Sequence, residues 1–521
     1  MICGMEKAAT DIYSFRELRE NSFTCVDKTG LLLPFVDRSL GKQFFLARPR
    51  RFGKSLLVST LHCLFEGRRE LFGGLAIEPK WDWSKSWPVL HLDMGSCQAD
   101  TVEELWWRIG DCLEREAIRL DVPLRMDKDV PGRFAFLIED LAARAPDGQM
   151  VLLVDEYDKP LLGHLLKNDV TAFRDALKSF YSVVKTLEAK QRFTFLTGVS
   201  KFSKVSVFSD LNNLCDVTMD PAAATLLGYT HDELKMNFPG LLARIGAENG
   251  LDAGGAFARV VDWYDGYLFH PSAEKVVNPV SFGCCARTGE FRNYWANTAM
   301  TTFLTDALRK QPLDFSSVGI DESALEAYEP DDPRLVTLLF QTGYLTIRSF
   351  RQFGTMRKYD LCIPNKEVEN SFLTQLAPVY AGLDATRSVN YQFAAAEAIL
   401  AGDVDRFVAV LKNFFANIPY NLTDRQNEQM WQTIVYVLLK AVGFGVEAEV
   451  MTNEGRIDLT CETASEIWLV ELKLDRPAAE ALEQIERLDY ARKYDLASKP
   501  VVRLGMTFSS ERRTIVDVAR A

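Results

Sequence analysis

The sequence lacks the cysteine and histidine spacings that are typical of zinc sites. Its 521 residues include five histidines and ten cysteines, with no C-x-x-C pair and no H-E-x-x-H motif. Zinc sites need such spacings because two ligands usually come from one turn or one helix face. The sequence therefore argues against a zinc site. The cysteine usage fits a reducing compartment, which predicts a cytoplasmic protein.

Long apolar runs and an excess of positive charge are also missing. No run approaches the roughly 20 apolar residues of a membrane-spanning helix, so we expect no membrane partner. The formal net charge of −12 at pH 7 argues against an extended polybasic surface, so any contact with DNA must be local. The composition, 47% hydrophobic and 25% charged, is that of a folded protein, and the length of 521 residues predicts two to four domains.

The most informative motif is RPRRFGKS at residues 48–55, between an apolar run and a helical pattern. Such a strand, loop and helix form a phosphate-binding loop, in which Lys54 reaches the β- and γ-phosphates and Ser55 ligates Mg²⁺. Gly53 allows close approach of the backbone, whereas Arg48 replaces the first glycine of the usual pattern. A nucleoside triphosphate, such as ATP, is therefore the first ligand to consider. The alternative is a chance GKS sequence in a basic turn.

Two later strands end in residues that suit the same ligand. VLLVDEYD at 151–158 is an apolar strand that delivers Asp155 to Mg²⁺ and places Glu156 beside an attacking water. FTFLTGVSKF at 193–202 ends with Thr197 and Ser200, which are candidates for contact with the γ-phosphate. The alternatives are an ordinary buried strand with an acidic end and a polar strand end that makes a turn.

The order of these elements predicts the fold class. Apolar strands alternate with helical patterns up to about residue 220, which is typical of a parallel α/β sheet covered by helices. Residues 221–365 are mostly helical and close with a hairpin pattern, which predicts a helical lid with a small wing. A third domain, 366–521, passes through helices into a final α/β segment.

That last domain carries a second set of candidate catalytic residues. Strand patterns at 455–462 and 466–475 contain Asp458, Glu471 and Lys473, and alternation puts Glu471 and Lys473 on one face. The two carboxylates suit Mg²⁺ or Mn²⁺, with Glu428 as an additional carboxylate, while Lys473 orients water and stabilises negative charge. The alternative is a solvated ion pair on an edge strand, but charges inside the apolar run IWLVELKL need a partner or a metal.

These motifs together resemble the prokaryotic AAA-ATPase-like proteins that carry a C-terminal PD-(D/E)XK nuclease-superfamily domain. The resemblance extends over nearly the whole chain. It rests on RPRRFGKS, VDEYDKP at 154–160, TGVSKFSKVSVFSDLNNL at 197–214, YDGY at 264–267 and the Asp458, Glu471 and Lys473 set. Arg48 agrees with the family's form of the loop. The resemblance implies a P-loop NTPase sheet, a lid and a restriction-endonuclease-like domain, and we expect Arg48 and Arg51 to contribute to the nucleotide pocket. We also expect one arginine of this loop to act on the nucleotide of a neighbouring subunit, which predicts a homo-oligomer.

Three functions remain open from the sequence. The first is an ATP-binding and ATP-hydrolysing protein coupled to a Mg²⁺-dependent nuclease that acts on DNA. The second is a nucleotide-dependent switch that binds nucleic acid or a protein partner and uses the nuclease fold for docking without cutting. The third, an ATPase motor with a structural tail, requires that the C-terminal carboxylates bind no metal.

Overall fold

The chain divides into two compact units, Met1–Trp295 with Gly319–Asn365 and Ala296–Val318 with Lys366–Ala521. The three domains with boundaries at 220 and 365 remain a prediction. The structure, a computed structural model, describes residues 6–165, 167–202, 213–295, 318–322, 325, 334–381, 385–417, 432, 435–436, 438–440, 445–451, 456–463, 465–494 and 499–521.

The first unit contains a five-stranded sheet in which every pair of neighbouring strands is parallel. Its order is β2-β3-β4-β1-β5, so β4 lies between β1 and β3. β1 and β3 are buried along their whole length, as continuous apolar sequences favour for covered strands. The ends of β1, β3 and β4 therefore meet at one edge of the sheet. The strands are β1 Gln43–Ala47, β2 Val89–Asp93, β3 Met150–Asp155, β4 Gln191–Gly198 and β5 Cys215–Asp216.

Helices connect these strands, and side-chain caps fix where several of them begin. Thr101 and Asp129 each accept a backbone N–H hydrogen bond at the start of a long helix. The helices of this part of the chain are Phe15–Glu20, Thr29–Val36, Lys54–Phe65, Val102–Arg119, Val130–Arg144, Lys159–Leu162 and Val170–Thr186, with short 3-10 turns at Arg69–Phe72, Met94–Ser96 and Glu188–Lys190.

The remainder of the first unit is helical and ends in a hairpin. An aromatic and aliphatic core, which includes Leu234, Phe238, Tyr264 and Phe282, holds its helices together. β7 and β8 pair antiparallel, which confirms the predicted hairpin, and they form a three-stranded sheet in the order β6-β8-β7. The elements are a 3-10 turn at Pro221–Ala223, helices His231–Asn237, Pro239–Glu248, Ala253–Tyr264, Pro279–Thr288 and Leu335–Thr342, and strands β6 Val318–Asp321, β7 Thr346–Phe353 and β8 Met356–Cys362.

The second unit contains a mixed five-stranded sheet in the order β13-β12-β11-β10-β9. Only β11 and β12 pair parallel, and the helix between them packs at Gly505, where a Cβ atom would lie 2.4 Å from the Ala478 carbonyl oxygen. The elements are helices Lys366–Ala381, Ala385–Leu400, Val404–Ala416 and Ala478–Arg487, a 3-10 turn at Tyr490–Tyr494, and strands β9 Gly445–Met451, β10 Arg456–Glu462, β11 Ile467–Leu474, β12 Val501–Ser509 and β13 Thr514–Arg520.

The predicted α/β class, with a parallel sheet in the N-terminal part of the chain, is confirmed. In the part of the chain that the structure describes, no helix is both long enough and apolar enough to cross a membrane.

Candidate nucleotide and nuclease sites

Residues 48–53 form the turn that joins β1 to the helix beginning at Lys54. Gly53 has a φ of +92°, a left-handed conformation that favours glycine. Within the described residues, the backbone N–H groups of residues 50–53 donate to no protein acceptor. Backbone N–H donors without an acceptor at a helix N-terminus have the chemistry that binds phosphate oxygens.

The side chain of Lys54 contacts the start of this turn and lies near acidic residues. Its Nζ donates to the carbonyl oxygens of Arg48 and Pro49, both at 3.0 Å. Burial lowers the pKa of Lys54, while nearby Asp155 and Glu156 act in the opposite direction. The ammonium group is therefore a buried cation at the end of the sheet, close to the residues that follow β3.

Asp155 ends β3 and is buried with only 5% of its surface exposed. Burial raises the pKa of its carboxyl group, an effect opposed by a hydrogen bond from Ser55 and by the charge of Lys54. The register of the parallel strands sets Asp155 beside Asp93, at the end of β2. Ser55 and Asp155 thus bring a hydroxyl and a carboxylate together, an oxygen donor set that fits Mg²⁺.

Glu156 follows Asp155 in a conformation that few non-glycine residues adopt, with a φ of +52°. Its carboxylate is partly exposed and lies 3.4 Å from the Lys159 ammonium. Two residues later, the Asp158 carboxylate accepts the backbone N–H groups of Val199 and Ser200 at 3.1 and 2.6 Å. Burial raises the pKa of Asp158 to about 6. Asp158 therefore joins the segment after β3 to the segment after β4.

The hydroxyl groups of Thr197 and Ser200 are both buried near the end of β4. The Thr197 hydroxyl donates to the Leu46 carbonyl oxygen in β1 at 2.9 Å, so it cross-links two strands. The Ser200 hydroxyl has no hydrogen-bond partner among the described residues. Contact of these two residues with the γ-phosphate remains a prediction. It is better supported for Ser200, whose hydroxyl has no partner among the described residues, than for Thr197, whose hydroxyl already donates to Leu46.

The guanidinium group of Arg48 lies among carbonyl oxygens of its own unit, and its predicted contribution to the nucleotide pocket remains a prediction. Its guanidinium group is buried and donates to the carbonyl oxygens of Ala47, Thr218 and Ala223 at 2.7 to 2.9 Å. It also lies 4.1 Å from the centre of the Phe269 ring. Burial lowers its pKa to about 9. Because all these contacts are to the protein's own carbonyl oxygens and to an aromatic ring, we expect Arg48 to stabilise the packing of the end of β1 against the segment after β5.

Arg51 and Pro49 connect the loop to more distant parts of the first unit. Arg51 Nη1 donates to the Tyr294 carbonyl oxygen at 2.5 Å. Gly343 approaches so closely that a Cβ atom there would lie 2.7 Å from Pro49 Cβ. The helical part of the unit therefore contacts the loop directly, and a nucleotide role for Arg51 remains a prediction.

We predict that Arg48→Ala destabilises the protein by at least about 3 kcal/mol, because three carbonyl oxygens, two of them in buried hydrogen bonds, lose the bond that the guanidinium donates. The matched control is Arg50→Ala, which removes a partly exposed guanidinium from the same loop and should cost less than about 1 kcal/mol. Thermal and urea unfolding measure both values. An Arg48→Ala protein with wild-type stability and weakened ATP binding would support the nucleotide role instead.

In the second unit, Asp458 and Glu471 lie on paired strands, β10 and β11. The Asp458 carboxylate accepts the Leu472 backbone N–H at 2.8 Å, and the Asp458 N–H donates to Glu471 Oε2 at 3.4 Å. Lys473 Nζ donates to Glu471 Oε1 at 3.1 Å. The prediction that Glu471 and Lys473 share one face of the strand is confirmed. Their side chains are 1% and 6% exposed, so they do not form the solvated ion pair that the sequence left open.

Two further polar residues complete this cluster. The Gln484 side-chain amide donates to Glu471 Oε1 and lies 3.4 Å from the Tyr490 hydroxyl. Gln484 belongs to the helix that connects the parallel strands β11 and β12. The same connecting helix therefore places Gln484 beside Glu471. Glu471 is therefore held by both Lys473 and Gln484.

The electrostatics of the pair favour a cation. Burial and the negative charge of Asp458 raise the pKa of Glu471 and Lys473 opposes them, with a net pKa of about 7. Two adjacent carboxylates fit a hard divalent ion, which relieves their repulsion. Among the described residues, no group of three or more histidine, cysteine, aspartate or glutamate side chains is arranged to hold a metal. Glu428, the additional carboxylate predicted from the sequence, lies outside the described residues.

Comparison with known proteins identifies the family. A family described as a predicted AAA-ATPase matches residues 9–208, and the PD-(D/E)XK nuclease superfamily matches residues 426–518. An uncharacterized protein in the vnfD 5' region of Azotobacter chroococcum mcd 1 is 36% identical over 526 residues, which cover 98% of each chain. The chain belongs to this family of AAA-ATPase-like proteins with a C-terminal PD-(D/E)XK nuclease-superfamily domain. No solved structure matches it.

Membership of this AAA-ATPase-like family confirms the resemblance drawn from the motifs. The first match contains the loop and the ends of β3 and β4, and the second contains Asp458, Glu471 and Lys473. Asp93 and Asp158 were not predicted as residues of the first site. Each stands at or just after the end of an apolar run of strand length, where ligands of parallel sheets bind, and that pattern could have indicated them.

Proposed function

We propose that this protein binds and hydrolyses ATP with Mg²⁺ in its N-terminal unit and cleaves DNA with Mg²⁺ or Mn²⁺ in its C-terminal unit. The observation that carries the proposal is the cluster of Asp458, Glu471 and Lys473, in which Glu471 and Lys473 are buried. Buried charges are costly unless they are paired or bind a metal, and such groups are concentrated at functional sites. Family membership supports a hydrolase in general, and the substrates are part of the proposal.

In the nucleotide site, Lys54 and the backbone N–H groups of residues 50–53 bind phosphate oxygens. Ser55 and Asp155 hold Mg²⁺, which neutralises phosphate charge when it is bound. Glu156, whose carboxylate is partly exposed, accepts a hydrogen bond from the attacking water and orients it. Asp158 fixes the segment after β4 and thereby positions Ser200.

In the nuclease site, Asp458 and Glu471 hold the divalent ion, which stabilises charge on the scissile phosphate when it is bound. The Lys473 ammonium orients the attacking water and stabilises negative charge as it develops. Gln484 donates to Glu471 and fixes the direction of its carboxylate. Lys473 and Gln484 bond the same oxygen of Glu471, which leaves its second oxygen toward Asp458.

Nucleotide binding can act on the rest of the first unit through the loop. Arg51 and Pro49 contact Tyr294 and Gly343, which belong to the helical part of that unit. A shift of the loop on ATP binding would therefore move these elements, and we propose that such a shift controls the nuclease.

The test is cleavage of plasmid and single-stranded DNA by the full chain, with Mg²⁺ or Mn²⁺ and with or without ATP. The proposal predicts cleavage that needs metal and responds to ATP. ATP hydrolysis without cleavage under any metal condition would instead support the switch that uses the nuclease fold as a docking module.

A further inference from the structure

The hairpin formed by β7, β8 and the turn between them, residues 346–362, differs in charge from the rest of the chain. It carries four basic residues and one acidic residue, a formal charge of +3, in a chain whose net charge is −12. The basic residues are Arg348, Arg351, Arg357 and Lys358. Arg357 is paired with Glu322, 2.7 Å away, and the other three cations form the local positive surface that a contact with nucleic acid requires in an acidic protein.

The strand register orders these residues on one face of the hairpin. Phe353 pairs with Met356 next to the turn, and Arg351 pairs with Lys358 two residues farther from the turn along each strand. Alternate residues along a strand share a face, so the apolar pair and the cationic pair form one continuous patch. Phe353 is 67% exposed and Met356 is 75% exposed.

The positive charge of this patch is only partly neutralised. Asp360 is the acidic residue of the hairpin, and it lies 2.8 Å from Arg351 and 3.7 Å from Lys358, so one carboxylate serves two cations. The side chains of these two cations are 54% and 53% exposed. Exposed ion pairs of this kind are weak and easily exchanged for a stronger anion.

Protection of a sheet edge explains part of this pattern but not all of it. β7 is the outer strand of its sheet, and basic residues on an edge strand discourage unwanted pairing. Prevention of strand pairing does not require a phenylalanine and a methionine exposed side by side next to the turn. Cations that bind phosphates, with apolar side chains that reach the bases beyond them, account for both features.

We propose that the hairpin 346–362 is a DNA-binding element in which Arg351 and Lys358 contact phosphates while Phe353 and Met356 contact base pairs. A two-stranded ribbon is narrow enough to enter the major groove, which is about 12 Å wide. This function goes beyond the proposed catalysis, because it needs neither a metal ion nor ATP. The hairpin would hold duplex DNA through residues outside both catalytic clusters.

The first test measures binding of a fluorescent 20-base-pair duplex to the full chain over a range of salt concentrations. EDTA is present and nucleotide is absent, so the result does not depend on cleavage or hydrolysis. The Arg351→Ala, Lys358→Ala double variant should bind about tenfold more weakly at low salt and lower the slope of log K against log salt by about 2. The matched control is Arg69→Ala with Lys85→Ala, which removes one arginine and one lysine from other exposed ion pairs.

The second test separates the apolar contact from the charge. Phe353→Ala with Met356→Ala should weaken binding severalfold without changing the salt slope, because no phosphate contact is lost. Met236→Ala, at a helical position where methionine is 78% exposed, is the matched control and should bind as the wild type does. All variants should keep wild-type melting temperatures and ATP hydrolysis. Wild-type protein that fails to bind duplex DNA, or a double charge variant that binds with wild-type affinity and salt slope, overturns the proposal.

Discussion

Lys54→Ala is expected to abolish ATP hydrolysis and to weaken ATP binding by a factor of about 100 or more, whereas Glu156→Gln is expected to keep binding and lose turnover. The lysine meets charge that the phosphates already carry in the ground state, so its removal lowers affinity. The glutamate acts on the attacking water, so its neutral amide analogue lowers the rate by about 10²- to 10³-fold and leaves affinity intact.

Calorimetric titration with a non-hydrolysable ATP analogue measures binding, and phosphate release measures turnover. Lys80→Ala and Glu139→Gln remove the same charges at exposed positions and should behave as the wild type does. Melting curves establish that each variant is folded, which matters because Lys54 also bonds two carbonyl oxygens of its own loop. Unchanged hydrolysis in both Lys54→Ala and Glu156→Gln would remove the nucleotide assignment.

The second large effect is expected at the C-terminal cluster. Mg²⁺ or Mn²⁺ should raise the unfolding free energy of the wild-type protein, by about 2.7 kcal/mol at a concentration of 100 times the Kd. Asp458→Asn should lose both this stabilisation and DNA cleavage. Lys473→Ala should keep the stabilisation, since both carboxylates remain, but should lose cleavage by a factor of about 100 or more.

This pair of variants distinguishes metal binding from chemistry. Lys499→Ala is the control, because Lys499 forms an exposed ion pair with Glu462 in the same unit and should affect neither measurement. Stabilisation by metal that survives Asp458→Asn would show that the ion binds elsewhere. Cleavage that survives Lys473→Ala would show that this lysine has no part in the reaction.

The sequence predicted positions along strands well, because the apolar pattern and the strand ends depend on local chemistry. Asp155 ends β3 as expected, and the alternation of β11 correctly placed Glu471 and Lys473 on one face. Asp93 and Asp158 were missed because their importance depends on neighbouring strands, which a single motif does not reveal.

Side-chain direction was harder to predict than position. Arg48 stands at the start of a phosphate loop, which suggested contact with phosphate, yet its guanidinium binds carbonyl oxygens that lie 170 and 175 residues away in sequence, at Thr218 and Ala223. Thr197 likewise uses its hydroxyl on the neighbouring strand. The orientation of both side chains depends on contacts with segments that are distant in sequence, and local sequence patterns do not show these contacts.

The claim that one chain holds two metal-dependent sites is tested most directly by a crystal structure of the full chain with Mn²⁺ and a non-hydrolysable ATP analogue. Anomalous scattering locates the manganese ions. We predict one ion between Ser55, Asp155 and the nucleotide phosphates, and another at Asp458 and Glu471. Well-ordered sites that hold no manganese, or a nucleotide bound away from Lys54, would contradict it.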